Sequence, residues 1–365
     1  MDSWSDDDDW FYESIKRYDL LLMFDFSSPV KFIEFNDLDS VCLIFEEENC
    51  RNEMSCFSLP KKLTVLREHE GLEKDSDFRL LSGGFSQKSV IQVKILKGTN
   101  TMLASEKDLC GLSVYKIPSE NSGIIHHTNT IHSELLSPKL AHNKLDSLAM
   151  VDTNKKNVVL LDTKEFVVKG KIKTEENEEE SVIIPEFVSP HSLGLCNTET
   201  GSVSIYDTRS ARKCSMLHSA QPFPKTQWTL SSSFLSTSHI ADSNDETKLG
   251  LLSTSGIISV LDTRNPQHTL SCEKGKDICS CSAKRNLPKI QFCPSKFPLL
   301  SISGFNPNIY IYDFSSENMK NIFVHDGHHR SSSTCENITT DHVWYKNSVM
   351  SACDNLSVHC WEYTR

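Results

Sequence analysis

Apolar residues along this chain fall into short alternating runs, and seven of these runs end at a polar corner: Ser58, Lys116, Asp162, Asp207, Asp262, Asp313 and Glu362. One position earlier stand Phe57, Tyr115, Leu161, Tyr206, Leu261, Tyr312 and Trp361, all large. Two and four positions earlier are Cys56 and Met54, Val114 and Leu112, Leu160 and Val158, Ile205 and Val203, Val260 and Ile258, Ile311 and Ile309, and Cys360 and Val358. The position between them is mostly small or polar: Ser55, Ser113, Val159, Ser204, Ser259, Tyr310 and His359. A period of two is that of a β-strand, whose successive side chains point to opposite faces. Apolar columns on both faces mean that both are covered, so the sheets must be stacked against one another.

The corners are 58, 46, 45, 55, 51 and 49 residues apart, close to the roughly 40–45 residues of a four-stranded propeller blade plus loop insertions. Each interval divides into four short strands. Around Asp313 these are Lys289–Cys293, Phe297–Ser303, Ile309–Asp313 and an outer Asn321–His325. The prediction is an all-β fold, a single seven-bladed β-propeller. Its last repeated strand ends at Trp361, so Leu20–Phe26 is expected to supply that blade's outer strand and close the ring, leaving no open edge. Blade 1 then begins at Val30. The chain divides into an acidic segment, 1–19, and the propeller, 20–365. Within the first, Ser5–Tyr18 is expected to form a short helix: Asp6–Asp9 suit its N-terminal dipole, and Trp10, Ser14 and Arg17 recur at helical spacing.

The last blade carries a more specific pattern: Gly327-His328, Ser351, Asp354 and Trp361. In it the aspartate accepts from the histidine, the histidine from the hydroxyl, and the hydroxyl meets the indole N–H, satisfying buried polar groups. This tetrad resembles that of the WD-repeat β-propeller family. The likeness extends to Asp8-Asp9-Trp10 with Glu13-Ser14, Phe24-Asp25, Gly83-Gly84-Phe85-Ser86, Asp207-Thr208-Arg209 and Ile302-Ser303-Gly304-Phe305. The resemblance implies a non-enzymatic scaffold, mainly cytoplasmic with some nuclear presence. It further implies partners in the RNA-endonuclease module of the Integrator complex, and tubulin or spindle microtubules in mitosis. The Cys/Lys-rich stretch at 272–286 and the acidic loop at 175–180 depart from the family pattern.

Composition narrows the picture. A net charge of −11 over 365 residues argues against general affinity for phosphate backbones or anionic membranes. The only basic cluster, Lys274, Lys276, Lys284 and Arg285, is not a stripe interleaved with aromatics. No run reaches the roughly 20 apolar residues of a membrane span, and Met1 is followed by acid rather than an apolar leader. The thirteen cysteines are therefore expected as free thiols.

Candidate chemistry is sparse. Cys272, Cys279, Cys281 and Cys293 lack paired zinc-knuckle spacing. His325, His328 and His329 form the densest histidine group, with His328 taken by the tetrad. His126 and His127 are neighbours on an outer strand and face opposite ways. Neither G-x-S-x-G, a P-loop nor H-E-x-x-H occurs, and Gly83-Gly84 is read as a turn. No metal or cofactor is expected. The run Glu175, Glu176, Glu178, Glu179, Glu180 is read as a solvated loop.

The inserted stretches Arg67–Lys88, Lys173–Ser181, Glu273–Leu287 and Asp326–Thr340 are each expected between an outer strand and the next inner one, gathering loops on one side of the disc as a partner surface. Trp10, Phe11, Phe85 and Phe305 are the candidate partner-binding residues, on a monomeric ring inside a hetero-complex. Two other readings stand beside this one: a purely cytoskeletal adaptor, and an enzyme whose ionisable groups converge in the central channel.

Overall fold

The computed structural model describes residues 16–36, 39–46, 49–60, 63, 77–96, 98–119, 123–143, 145–152, 157–174, 182–217, 226–235, 247–265, 269–274, 287–329 and 337–364. Strand β1 (Tyr18–Asp25) comes first. Blade 1 follows with β2 (Val30–Phe35), β3 (Ser40–Phe45), β4 (Glu53–Ser58) and β5 (Arg79–Phe85). Blade 2 is β6 (Val90–Leu96), β7 (Thr101–Glu106), β8 (Cys110–Lys116) and β10 (His126–Leu136), with the short β9 (Gly123–Ile124) between the last two in sequence. Blade 3 is β11 (Lys139–His142), β12 (Ser147–Val151), β13 (Asn157–Asp162) and β14 (Val168–Lys173). Blade 4 is β15 (Ile183–Ser189), β16 (Ser192–Asn197), β17 (Val203–Asp207) and β18 (Arg212–Leu217). Blade 5 is β19 (Trp228–Ser232), β20 (Lys248–Ser253), β21 (Ile257–Asp262) and β22 (Thr269–Lys274). Blade 6 is β23 (Lys289–Phe292), β24 (Leu299–Ser303), β25 (Ile309–Asp313) and β26 (Lys320–His325), and blade 7 holds β27 (Thr339–Tyr345), β28 (Ser348–Cys353) and β29 (Ser357–Tyr363).

Hydrogen bonding gives seven sheets, each running from inner to outer strand in chain order, with β1 as the outer strand of blade 7; all pairings are antiparallel except that of β9, which joins β5 of blade 1 in parallel. The latch is therefore as expected, starting two residues earlier, at Tyr18. Leu20 pairs with Glu362 and Asp25 with Ser357, while Phe26 N–H donates to Leu356 O at 3.0 Å and Thr364 N–H to Arg17 O at 2.9 Å. The expected helix over Ser5–Tyr18 lies outside the described residues except at its end, where Lys16 and Arg17 are helical and Tyr18 is strand.

The apolar columns explain the stacking. Val203 and Ile205 of β17 pack against blade 5, whereas Tyr206, one residue on, packs against blade 3. The same division holds around the ring, with Val358 and Cys360 facing blade 1 and Trp361 facing blade 6. Seven apolar clusters fill the seven blade interfaces, including that between blades 7 and 1. A propeller thus has its core between sheets.

The polar corners have a local cause too. Asp207 Oδ1 accepts from Arg209 N–H at 2.8 Å and Ser210 N–H at 3.1 Å, Asp162 from Lys164 and Glu165, Asp262 from Arg264 and Asp313 from Ser315. Each carboxylate caps the turn into the outer strand. These bonds and Lys169 hold Asp162 down to about 2.

Three expectations need correction. Cys42 and Cys56, directly opposite on β3 and β4, are joined in a disulfide, with 4.1 Å between their Cα atoms, so the thiols are not all free. Gly83 and Gly84 are not a turn but lie within β5, where β9 adds in parallel. A Cβ on Gly84 would sit 2.2 Å from Ile125 O, so the glycine permits close approach of the crossing chain. Finally, Arg67–Lys88 is not one connection, since it contains β5. The other three stretches do join outer to inner strands.

Candidate functional site: the loop face, the channel and the latch

The tetrad residues meet in blade 7 with one exchange. Trp361 Nε1–H donates to Ser351 Oγ at 3.2 Å, and Ser351 Oγ lies 2.9 Å from His328 Nε2. The other ring nitrogen of His328 faces Ser357 Oγ at 2.6 Å, not Asp354. Asp354 Oδ1 instead accepts from Ile338 N–H at 2.9 Å, pinning the incoming connection. Asn355 Nδ2–H donates to His328 O at 2.6 Å, which leaves its Oδ1 to accept from Ser357 Oγ–H at 2.5 Å. Ser357 has then spent its only proton, so His328 donates to it from Nδ1.

A second relay beside it escaped the sequence reading. Tyr18 OH lies 2.8 Å from His325 Nδ1, and His325 Nε2 lies 3.1 Å from His359 Nδ1. This joins the latch strand β1 to β26 and β29. Arg17 reinforces it, donating to Val324 O at 2.6 Å and pairing with Asp326 at 3.2 Å. Burial, then the neighbouring charges of His359 and Arg17, hold His325 well below the usual imidazole range. Burial and Asp326 raise the Tyr18 phenol. The available signal was His359 itself, the one imidazole in a column of small or polar residues.

His325, His328 and His359 have ring nitrogens within 4.8 Å of one another, a spacing that invites a metal. The rings of His328 and His359, however, are stacked 3.9 Å apart at 11°. Parallel imidazoles cannot direct in-plane lone pairs at one ion at the roughly 2.0–2.1 Å that zinc requires. As arranged, the cluster is a hydrogen-bonded wedge. Of the cysteines considered for zinc, Cys293 is buried at the end of β23, and nothing is described of the side chains of the other three.

Ionisable side chains do converge in the central channel, in pairs and clasps of complementary polarity that bind neighbouring blades. Lys94 Nζ meets Glu34 Oε1 at 2.7 Å, and Lys289 Nζ meets Asp341 Oδ1 at 2.5 Å. Asp341 Oδ2 also accepts from Ile33 N–H at 2.8 Å. Glu186 accepts from Ser232 N–H at 3.3 Å. Burial works against the Lys94 charge, but Glu34, Glu186 and Asp341 prevail and raise it. The Ser–His contacts, Ser351 and Ser357 with His328 and Ser301 and Ser303 with His342, are buried between blades 6 and 7, where no substrate has access.

Of the candidate partner residues, Phe85 is exposed (54%) and stands with Leu80 and Ile124 on the outer rim of blade 1. Phe305 is 7% exposed and belongs to the core between blades 5 and 6, which removes it from any partner surface. Trp10, Phe11 and the acidic run lie outside the described residues. Because four strands per blade alternate in direction, all inner strands start at the same end of the channel, where the blade-to-blade connections arrive.

No protein-family profile matches the chain. It is, however, similar to a Danio rerio protein named Integrator complex assembly factor WDR73, with 27% identity over 384 residues covering 100% of this chain and 98% of that protein. The Homo sapiens protein of the same name is 23% identical over 391 residues, covering 98% and 97%. The Mus musculus protein is 23% identical over 387 residues with the same coverage. The chain is a seven-bladed β-propeller of WD-repeat type that resembles the vertebrate WDR73 proteins over nearly its whole length.

Proposed function

We propose that this protein is a non-enzymatic scaffold that supports assembly of the Integrator complex, through its RNA-endonuclease subunits. The observation that carries the reading is similarity spanning every blade and the latch to relatives named for Integrator assembly. The geometry is compatible with it: a ring bound by seven apolar interfaces holds its loops at fixed spacing, and the buried polar networks engage one another. The expected location, cytoplasmic with a nuclear fraction, is part of the proposal. No residue among those described favours the microtubule or spindle reading, which the following experiment tests directly.

The experiment is affinity purification of the tagged full chain at native expression, followed by mass spectrometry of what co-elutes. The expected result is stoichiometric recovery of Integrator endonuclease subunits. Tubulin without Integrator subunits, or neither, would overturn the reading.

A further inference from the structure

The inner strands of blades 1, 2 and 3 stand side by side around the channel, fixed by polar clasps. Glu34 and Lys94 tie β2 to β6. Gln92 ties β6 to β11 through both ends of its amide, accepting from Leu140 N–H at 2.8 Å and donating to Leu140 O at 2.9 Å. At the end where the blade-to-blade connections arrive, β2 presents Lys31 at a break in register between Val30 and Phe32. Strand β6 presents Ile91 at the equivalent break between Val90 and Gln92, and β11 opens on Lys139. All three side chains are half-buried.

Neither ammonium group has a hydrogen-bond or ion-pair partner among the described residues. Lys31 lies over the Phe32 ring, 5.6 Å from its centroid. Burial and the positive charge of Lys31 hold Lys139 below the ordinary lysine range; burial also lowers Lys31, with Glu46 opposing it. Deeper in the channel Lys94 and Lys289 are paired, and the chain as a whole carries 49 acids against 38 bases. Two half-buried cations, the one on β2 repelling the one on β11, are an electrostatic cost that an anion at this mouth reduces.

We propose that this channel mouth docks an acidic peptide segment of a partner protein, with carboxylates on Lys31 and Lys139 and an apolar side chain against Ile91. The cations sit on blades 1 and 3 with an apolar side chain on the blade between. Cations that flank an apolar side chain are complementary to carboxylates that flank an apolar residue on an extended chain. The inference rests on the scaffold reading and gives it a partner chemistry.

Fluorescence anisotropy tests it, using the full chain, a labelled peptide of alternating Glu and Leu, and inorganic phosphate as competitor. The wild type should bind the peptide, and Lys31→Gln/Lys139→Gln should weaken binding by about tenfold or more without lowering the thermal midpoint, since repulsion is removed. Phosphate should not displace the peptide. Equal binding by the double variant, no binding by the wild type, or displacement by phosphate would each overturn the proposal. If the double variant loses the peptide yet still recovers every Integrator subunit, the partner-docking role falls while the scaffold reading stands.

Discussion

Ser357 Oγ lies 2.6 Å from His328 Nδ1, in the place expected for Asp354, and the substitution of a hydroxyl for a carboxylate decides which blade 7 variants matter. Ser357→Ala strands a buried imidazole N–H and should cost about 1–3 kcal/mol. Ser351→Ala, which leaves both the indole and the imidazole without a partner, should cost more. Asp354→Asn retains an acceptor for Ile338 N–H and should cost less than either. Urea denaturation of the three variants orders them; a larger loss in Asp354→Asn than in Ser357→Ala would contradict the relay.

Acid should loosen the protein at blades 6 and 7. His325 and His342 are buried and held well below the usual imidazole value, both mainly by burial, with Lys289 the further cause for His342. Because the unfolded chain binds these protons first, stability is fully present above about pH 6.5 and is lost as pH falls toward the folded values, at about 1.4 kcal/mol per pH unit for each histidine. The urea midpoint should be flat from pH 7 to 8 and fall below pH 6.5, with a shallower fall in His325→Asn.

Deletion of residues 1–28 removes the outer strand of blade 7 and bares the β29 edge, an invitation to intermolecular pairing. The truncated protein should aggregate or unfold. Size-exclusion chromatography that shows a soluble monomer with an unchanged melting temperature would rule out the latch.

Phe85 and Phe305 should behave oppositely when truncated. Phe305→Ala opens a cavity between blades 5 and 6 and should cost about 3–5 kcal/mol. Phe85→Ala should stay within about 0.5 kcal/mol of wild type, so any loss of partner from that variant reports a contact.

The ring was legible because the sequence repeats the physics of one strand seven times. Tyr206 and Ile205 differ by one residue, and that alone assigns them to opposite interfaces. The four strands around Asp313 and the closing strand follow from the same alternation. What the pattern did not show arises from contacts between distant strands. His359 looked like one polar residue in a mixed column, and only its approach to His325 and Tyr18 makes it part of the latch. Gly84 read as a turn because a sequence gives no sign that Ile125 will cross beside it. Phe305 was a candidate for partner binding, although the chain folds its aromatic ring inward, into the core between blades 5 and 6. The channel pairs were hidden because Glu34, Lys94 and Asp341 sit on three inner strands far apart in the chain.

The shared sheet of blade 7 sets a timetable for synthesis. Tyr18 leaves the ribosome long before its pairing partner Tyr363 is made. Throughout translation the apolar stretch from Leu20 to Phe24 has no native mate, and the nascent chain is an incomplete arc with two exposed flanks. Folding therefore finishes in a single late, high-contact-order step, and a stop codon only a few positions before Trp361 would undo the whole circle.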